Sequence, residues 1–488
     1  MKEKSIKRNY IYNVTYQVLI LIIPLITMPY VSRVLTADGV GLYSYGSSIA
    51  TYFVIAATLG TTAFGQRAIS YVQGNIEERS RAFWELVIFR TATVAVSLGA
   101  YFIVYAVALK NSGVLYLILA LNVINVFFDI SWFFQGLEEF GRIVARNLIF
   151  RLIQLAAIFL FVKTSADLNK YALIMTGLSV LGNVSLWPML KGKICKIKGI
   201  KPFRDFKTII QFFIPTVAIQ VYAVLDKSMI GWFTGSDAEN GYYSQAETIA
   251  KVALTVVTSL GTVMTPRISR YFKEGNFEKM TEFLYKSYKF TFMLAVPIVF
   301  GIAAVSSVLI PLFLGDGYEP CIRLLQLFSL LVLFIGLSNV NGMQLFIPTG
   351  RQNMLTVTVT AGAVVNAILN VILIPRYAAL GACVATIIAE AIVAAVGFII
   401  IAKLKILNLG KIFLTSWKYF VSGAAMFAVV DFAVKPFVGT GITGLCLLIL
   451  SGVVSYFLIL FILRDALLLE GLSGVKKRLF KNKPQPKE

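Results

Sequence analysis

The stretch "NVTYQVLILIIPLITMPYVS", residues 13–32, decides the class of this chain, because its twenty residues carry no charge. At about 1.5 Å of rise per residue, a helix over it is about 30 Å long, the thickness of a bilayer's hydrocarbon core. The run "LLQLFSLLVLFIGLSNV" (324–340) has the same character. Across the 488 residues, 58% are hydrophobic and 14% charged, with a mean hydropathy of +0.79. Soluble domains average about 25% charged residues, so a soluble enzyme is excluded. The N-terminus "MKEKSIKRNY" is basic. No small-residue cleavage site follows it, so the first apolar block reads as a span and not as a cleaved leader.

Cutting the chain at its polar interruptions predicts about fourteen transmembrane helices in an all-α polytopic membrane protein. They fall at 11–34, 41–66, 83–108, 113–135, 145–163, 170–190, 209–233, 241–265, 289–313, 320–345, 352–375, 379–402, 414–434 and 440–464. The loops between them are too short for a soluble domain of any size.

The formal charge of +21 sits mostly in alternate loops. The segment "KGKICKIKGIKPFRDFKT" (191–208) holds seven basic residues and one acid, and "KLKILNLGK" and the tail "GVKKRLFKNKPQPKE" are also basic. The opposite loops, "TADG", "TGSDAENG" and "GDGYEP", are short and neutral or acidic. That asymmetry is the positive-inside pattern and predicts both termini in the cytoplasm. Trp84, Trp187, Trp232 and Trp417 fall near predicted helix ends, as interfacial anchors do. Topology and attraction to anionic membrane lipids account for the basic charge, so no nucleic-acid partner is expected.

Cys195, Cys321, Cys383 and Cys446 are scattered in no motif, and the chain has no histidine. His-based metal sites and catalytic triads are therefore excluded, and no P-loop is present. No cofactor, metal or catalytic residue is predicted.

The chain also repeats itself. "GLYSYGSSIATYFVIAATLGTTAFGQR" (41–67) aligns without gaps on "GYYSQAETIAKVALTVVTSLGTVMTPR" (241–267). Gly41, Tyr43, Ser44, Ile49, Ala50, Thr58, Thr62 and Arg67 match the residues 200 positions later. Two six-helix repeats of the same orientation follow, a parallel arrangement that places a substrate cavity between the halves. The expected parts are an N-lobe at 1–208, a C-lobe at 209–408, and two further helices with the basic tail at 409–488.

Polar stripes predict a wet interior. Ser44, Ser48, Thr51, Thr58 and Thr62 share one helix face, as do Tyr243, Glu247, Lys251, Thr255, Thr258 and Thr262. Asn122, Asn125 and Asp129 align, as do Asn147, Arg151 and Gln154, and Asn366 and Asn370. A charge at the bilayer centre costs at least about 2.5–3.5 kcal/mol, so embedded charges are functional candidates. Here they include Arg33, Glu85, Arg90, Asp129, Arg151, Asp226, Lys227, Glu247, Lys251, Arg323, Glu390 and Asp431. Glu247 and Lys251 stand four apart in the order that favours pairing. Asp226 and Lys227 are adjacent and diverge on a helix, so a cross-helix network with Glu247 and Lys251 is expected. Pro24 and Pro29 predict a bend in the first helix, and Pro215, Pro297 and Pro311 further kinks.

The segments "NVTYQVLILIIPLITMPYVSRVL", "GVGLYSYGSSIATYF", "LDKSMIGWF", "NGYYSQAETIAK", "VMTPRIS", "FIPTGRQN" and "NAILNVILIPRYAALGACVATIIAE" cover most of residues 9–390. Together they resemble the bacterial polysaccharide (Wzx-type) flippases of the multidrug/oligosaccharidyl-lipid/polysaccharide exporter superfamily. One departure is Thr36, where that family often has glycine. The resemblance implies a multi-pass protein of the bacterial cytoplasmic membrane. It would flip an undecaprenyl-pyrophosphate-linked oligosaccharide from the inner to the outer leaflet by alternating access. A monomer is expected, with polysaccharide polymerase and glycosyltransferases as candidate partners.

Arg33, Arg90, Arg151, Lys227, Lys251 and Arg323 are the cations expected to meet the substrate's headgroup, arginine offering bidentate phosphate pairing. Asp129, Asp226, Glu247 and Glu390 are expected counter-charges or coupling-ion sites. A lipid II flippase or a multidrug exporter is the rival within the superfamily. A membrane glycosyltransferase or polymerase is the rival of another class.

Overall fold

The computed structural model describes residues 6–109, 113–470 and 473. Pro215 and Thr262 have side chains outside the described set, and the basic tail from 474 onward lies outside it altogether. No strand occurs among the described residues. Among the described residues, eleven helical stretches are long and apolar enough to cross a membrane.

The chain divides into two compact units, residues 1–241 and 242–488. The first opens with α1 (Ile6–Thr58), α2 (Thr61–Tyr71) and α3 (Ile76–Val104). Then come three short helices, α4 (Val114–Leu119), α5 (Leu121–Phe128) and α6 (Ser131–Gly136). The longer α7 (Phe140–Phe161), α8 (Leu168–Val184) and α9 (Phe206–Thr234) follow. The helix α10 (Asp237–Lys273) begins at the end of this unit and runs into the next. The second unit continues with α11 (Phe277–Leu314), α12 (Pro320–Asn339), α13 (Gln352–Lys403), α14 (Leu409–Leu414), α15 (Trp417–Ala428) and α16 (Ile442–Ile462).

Local chemistry sets several of these boundaries. Asn75 caps α3, its Oδ1 accepting from the amides of Glu77 (3.0 Å) and Glu78 (3.3 Å), two acids placed at the positive end of the helix. Asn276 and Asn408 cap α11 and α14 in the same way. The prolines of α1 leave it helical, and its break falls at Thr36 (φ 60°, ψ 176°). The predicted helix 41–66 is itself interrupted at Leu59 and Gly60, both at positive φ, and resumes as α2. The predicted span 113–135 is likewise three short helices.

Within α13 the break is at Ala378 (φ 48°). A Cβ on Gly362 would stand 2.3 Å from Val393, and one on Gly381 2.4 Å from the Leu373 carbonyl oxygen. The two halves therefore fold back on each other as a helical hairpin, and the predicted helices 352–375 and 379–402 are its arms.

Each unit has its own aromatic core. In the first, Phe83 stacks on Trp132 (5.7 Å) and meets Phe133 edge-on (5.1 Å). In the second, Tyr288 and Phe398 pack at 5.7 Å within a cluster that includes Phe292, Met426 and Tyr456.

Candidate functional site

The site in the first unit is built around a helix that ends inside the membrane-spanning stretch. At Asp129 the backbone turns extended (φ −74°, ψ 97°) and α5 stops. The Asp129 carboxylate accepts from the Ser131 amide (2.9 Å) and hydroxyl (2.5 Å), a local turn that competes with helix and starts α6. A helix ending at membrane depth leaves carbonyls that water cannot satisfy. Arg90, on α3 and 2% exposed, satisfies them. Its Nη1 donates to the Val126 carbonyl (3.3 Å) and to the Asp129 carbonyl, its Nε to Thr61 Oγ1 (2.9 Å), and its Nη2 to Thr62 Oγ1 (2.8 Å). The guanidinium thus ties α2, α3 and the end of α5 together.

Beside this break lies a cavity of about 330 Å³ walled by α5, α6, α7 and α8. Asn147, Arg151 and Gln154 line it from α7, and Asn125 and Asp129 from the end of α5, so these two predicted stripes converge. Asn183 of α8 joins them, accepting from Arg146 Nη1 (2.5 Å) and donating to Asn125 Oδ1 (2.8 Å). Gly182 lets α7 approach, since a Cβ there would stand 3.2 Å from the Phe150 ring. Gln154 donates to the Met175 carbonyl (3.1 Å). Arg151 is exposed to the cavity and makes no hydrogen bond or ion pair with a described residue. The site therefore offers amides, two serine hydroxyls, the Asp129 carboxylate and the guanidinium groups of Arg146 and Arg151: donors and acceptors for sugar hydroxyls, and cations for phosphate.

Arg146, Ser179 and Asn183 were not among the predicted site residues. Ser179 and Asn183 are four apart on α8, a spacing that could have revealed them. Arg146 was masked by the neighbouring stripe, which begins at Asn147.

The other predicted residues lie elsewhere. In the first unit, Arg33 is exposed on α1, and on α9 Asp226 is buried and Lys227 half-buried. Next to them, Tyr52 and Ser228 share a 2.6 Å hydrogen bond that ties α1 to α9. In the second unit, Arg323 is exposed near the start of α12, and Glu390 is half-buried in α13. Glu247 and Lys251 pair with each other along α10 at 2.6 Å, as their four-residue spacing predicts. Tyr243, Asn366 and Asn370 are fully buried. Thr386 bridges Tyr243 (3.3 Å) and Asn366 (3.4 Å), and Asn370 donates to Asn366 (3.1 Å), so this polar set is part of a packed interior.

The family model described as "Polysaccharide biosynthesis protein" matches residues 6–272, and the MatE model matches residues 213–372. The chain is 21% identical over 414 residues to an Escherichia coli (strain K12) protein named "Putative O-antigen transporter", covering 83% of this chain and 98% of that one. A Shigella dysenteriae protein of the same name is 23% identical, covering 76% and 93%. Among solved structures, the lipid II flippase MurJ in an inward closed conformation superposes with a TM-score of 0.75 at 16% identity, over 93% of this chain and 99% of that one. These relatives are transporters or flippases and not enzymes, and the chain is a membrane transporter. Matched over more than half its length, it belongs to the polysaccharide biosynthesis protein family, within the multidrug/oligosaccharidyl-lipid/polysaccharide exporter superfamily.

Proposed function

We propose that this flippase carries a polyprenyl-pyrophosphate-linked oligosaccharide from the inner to the outer leaflet of a bacterial cytoplasmic membrane, supplying a surface polysaccharide. The observation that carries the reading is the cavity beside Asp129. Its amide-rich wall suits sugar hydroxyls, and Arg151 supplies a cation with no carboxylate partner among the described residues. Phosphate paired to a guanidinium outside bulk water is held by charge-assisted, bidentate bonds. The positive-inside asymmetry of the loops supports an orientation with both termini in the cytoplasm. The lobes 1–208 and 209–408 would alternate in access to the two leaflets, with 409–488 appended. Arg33, Lys227, Lys251 and Arg323 would form further steps of the headgroup's path, with Asp129, Asp226, Glu247 and Glu390 as counter-charges.

The test is a flipping assay in proteoliposomes containing an undecaprenyl-pyrophosphate-linked oligosaccharide. Arg151→Ala should slow translocation at least tenfold with thermal stability unchanged, and Arg151→Lys should fall between. Wild-type rates in Arg151→Ala would refute the cavity as the headgroup site. Polymerised sugar in the same vesicles would refute transport as the main activity.

A further inference from the structure

A second cavity in the first unit lies away from the polar one, under the basic linker 191–205. The linker is fastened along α3. Arg79 donates to the Lys193 carbonyl from Nε (2.9 Å) and Nη2 (2.7 Å). Ser80 Oγ accepts from the Cys195 amide (2.8 Å), and Glu85 from the Lys201 amide (3.0 Å). Phe203 of the linker packs on Phe89 at 5.5 Å. Between this strap and α2 opens a cavity of about 440 Å³.

Cations from three separate elements line it: Arg67 of α2, Arg81 of α3, and Lys201 and Arg204 of the linker. The acids are largely spoken for. Arg204 Nη2 reaches Asp205 (3.3 Å) and Glu85 (3.6 Å), whose carboxylate is almost fully buried and also holds the Lys201 amide. Arg67, Arg81 and Lys201 have no carboxylate partner among the described residues, and Glu78 is the remaining acid of the wall. The Arg67 guanidinium lies 4.6 Å from the centre of the Phe212 ring, a cation–π contact. Tyr71, 76% exposed, stands at the lip.

The geometry points to a binding site for the phosphate group of a membrane lipid, held by Arg67, Arg81 and Lys201. Basic pockets on the cytoplasmic side of membrane helices take up anionic headgroups in this way, and an amphipathic tyrosine at the lip suits the headgroup level of a bilayer. The cytoplasmic placement rests on the orientation proposed above. Two lipids carry this chemistry: a resident anionic phospholipid, and the pyrophosphate lipid that is the proposed substrate.

Native mass spectrometry of the full chain in detergent tests the site, with phosphatidylglycerol, undecaprenyl pyrophosphate and phosphatidylcholine as probes. Wild type should retain at least one of the two anionic lipids several-fold more than phosphatidylcholine. Arg67→Ala with Arg81→Ala should cut that retention about tenfold, and Arg67→Lys with Arg81→Lys should largely preserve it. Loss confined to phosphatidylglycerol assigns a resident lipid, and loss confined to the pyrophosphate assigns substrate loading. Wild-type retention of both lipids by the alanine pair, or no preference over phosphatidylcholine, would overturn the site. Neither result depends on translocation, so the test stands apart from the Arg151 assay.

Discussion

Gly41 and Gly241 make the same close contact in opposite directions. A Cβ on Gly41 would stand 1.7 Å from the Asp237 carbonyl oxygen, and one on Gly241 2.1 Å from that of Ala37. Each glycine thus faces the carbonyl four residues before the other, and the two contacts carry the same 200-residue offset as the sequence repeat. Only a residue without a side chain permits backbones to come this near.

Alanine at either position must drive α1 and the start of α10 apart. Overpacking costs about 1–3 kcal/mol where side chains can give way, and here the obstacle is backbone. We expect Gly41→Ala and Gly241→Ala each to cost at least about 3 kcal/mol, read as a clear fall in Tm in detergent. Gly99→Ala is the control, since a Cβ there meets nothing within 4 Å. An unchanged Tm for both variants would show that the contact is looser than the structure has it.

Thr36 sits at φ 60° and ψ 176°, a region almost reserved for glycine. A β-branched residue there is strained by about 1–3 kcal/mol. Glycine returns part of this through a more flexible unfolded chain, about 0.5–1 kcal/mol. Thr36→Gly should therefore raise Tm, with a net gain of about 1 kcal/mol. A lower Tm would mean that the threonine hydroxyl contributes more than the strain costs.

Arg90 should behave as a structural clamp. Arg90→Ala strands the Val126 and Asp129 carbonyls in a buried setting, at about 1–3 kcal/mol for each group left unsatisfied, and takes a donor from the Thr61 and Thr62 hydroxyls. Lysine has no planar fork to serve α2, α3 and α5 together, so Arg90→Lys should recover only part of the loss. Thermal melting orders the three proteins wild type, lysine, alanine. Equal melting of alanine and wild type would assign Arg90 to a role outside the fold.

Depth alone made Arg90 and Arg151 look alike in the sequence, as cations too deep to reach the interface. What separates them is the end of α5 at Asp129, because a stranded carbonyl is a tertiary fact that hydropathy cannot register. The all-helical, membrane-spanning character was legible because twenty apolar residues have few alternatives in water or lipid. Their breaks were not: "TADG" reads as a loop of several residues, yet Thr36 alone breaks α1 there. The Asn147, Arg151 and Gln154 stripe was legible from helical spacing. Asn183, which joins that wall through Asn125 and Arg146, had only the four-residue spacing to Ser179 to mark it, a two-residue signal too short to read as a stripe.

Glu247 and Lys251 give the last prediction. The Glu247 carboxylate is 9% exposed and the Lys251 side chain 50%, with 2.6 Å between them. Removing one partner of a fully buried pair costs about 3–5 kcal/mol, because the other charge is left behind. With lysine half exposed the coupling should be smaller, on the order of 1–2 kcal/mol. Lys251→Met alone should therefore lower Tm more than Glu247→Gln with Lys251→Met does. A four-protein thermal cycle measures the difference. Additive losses would mean that Glu247 draws its stabilisation from groups other than Lys251, and the in-helix pair would then be incidental to the fold.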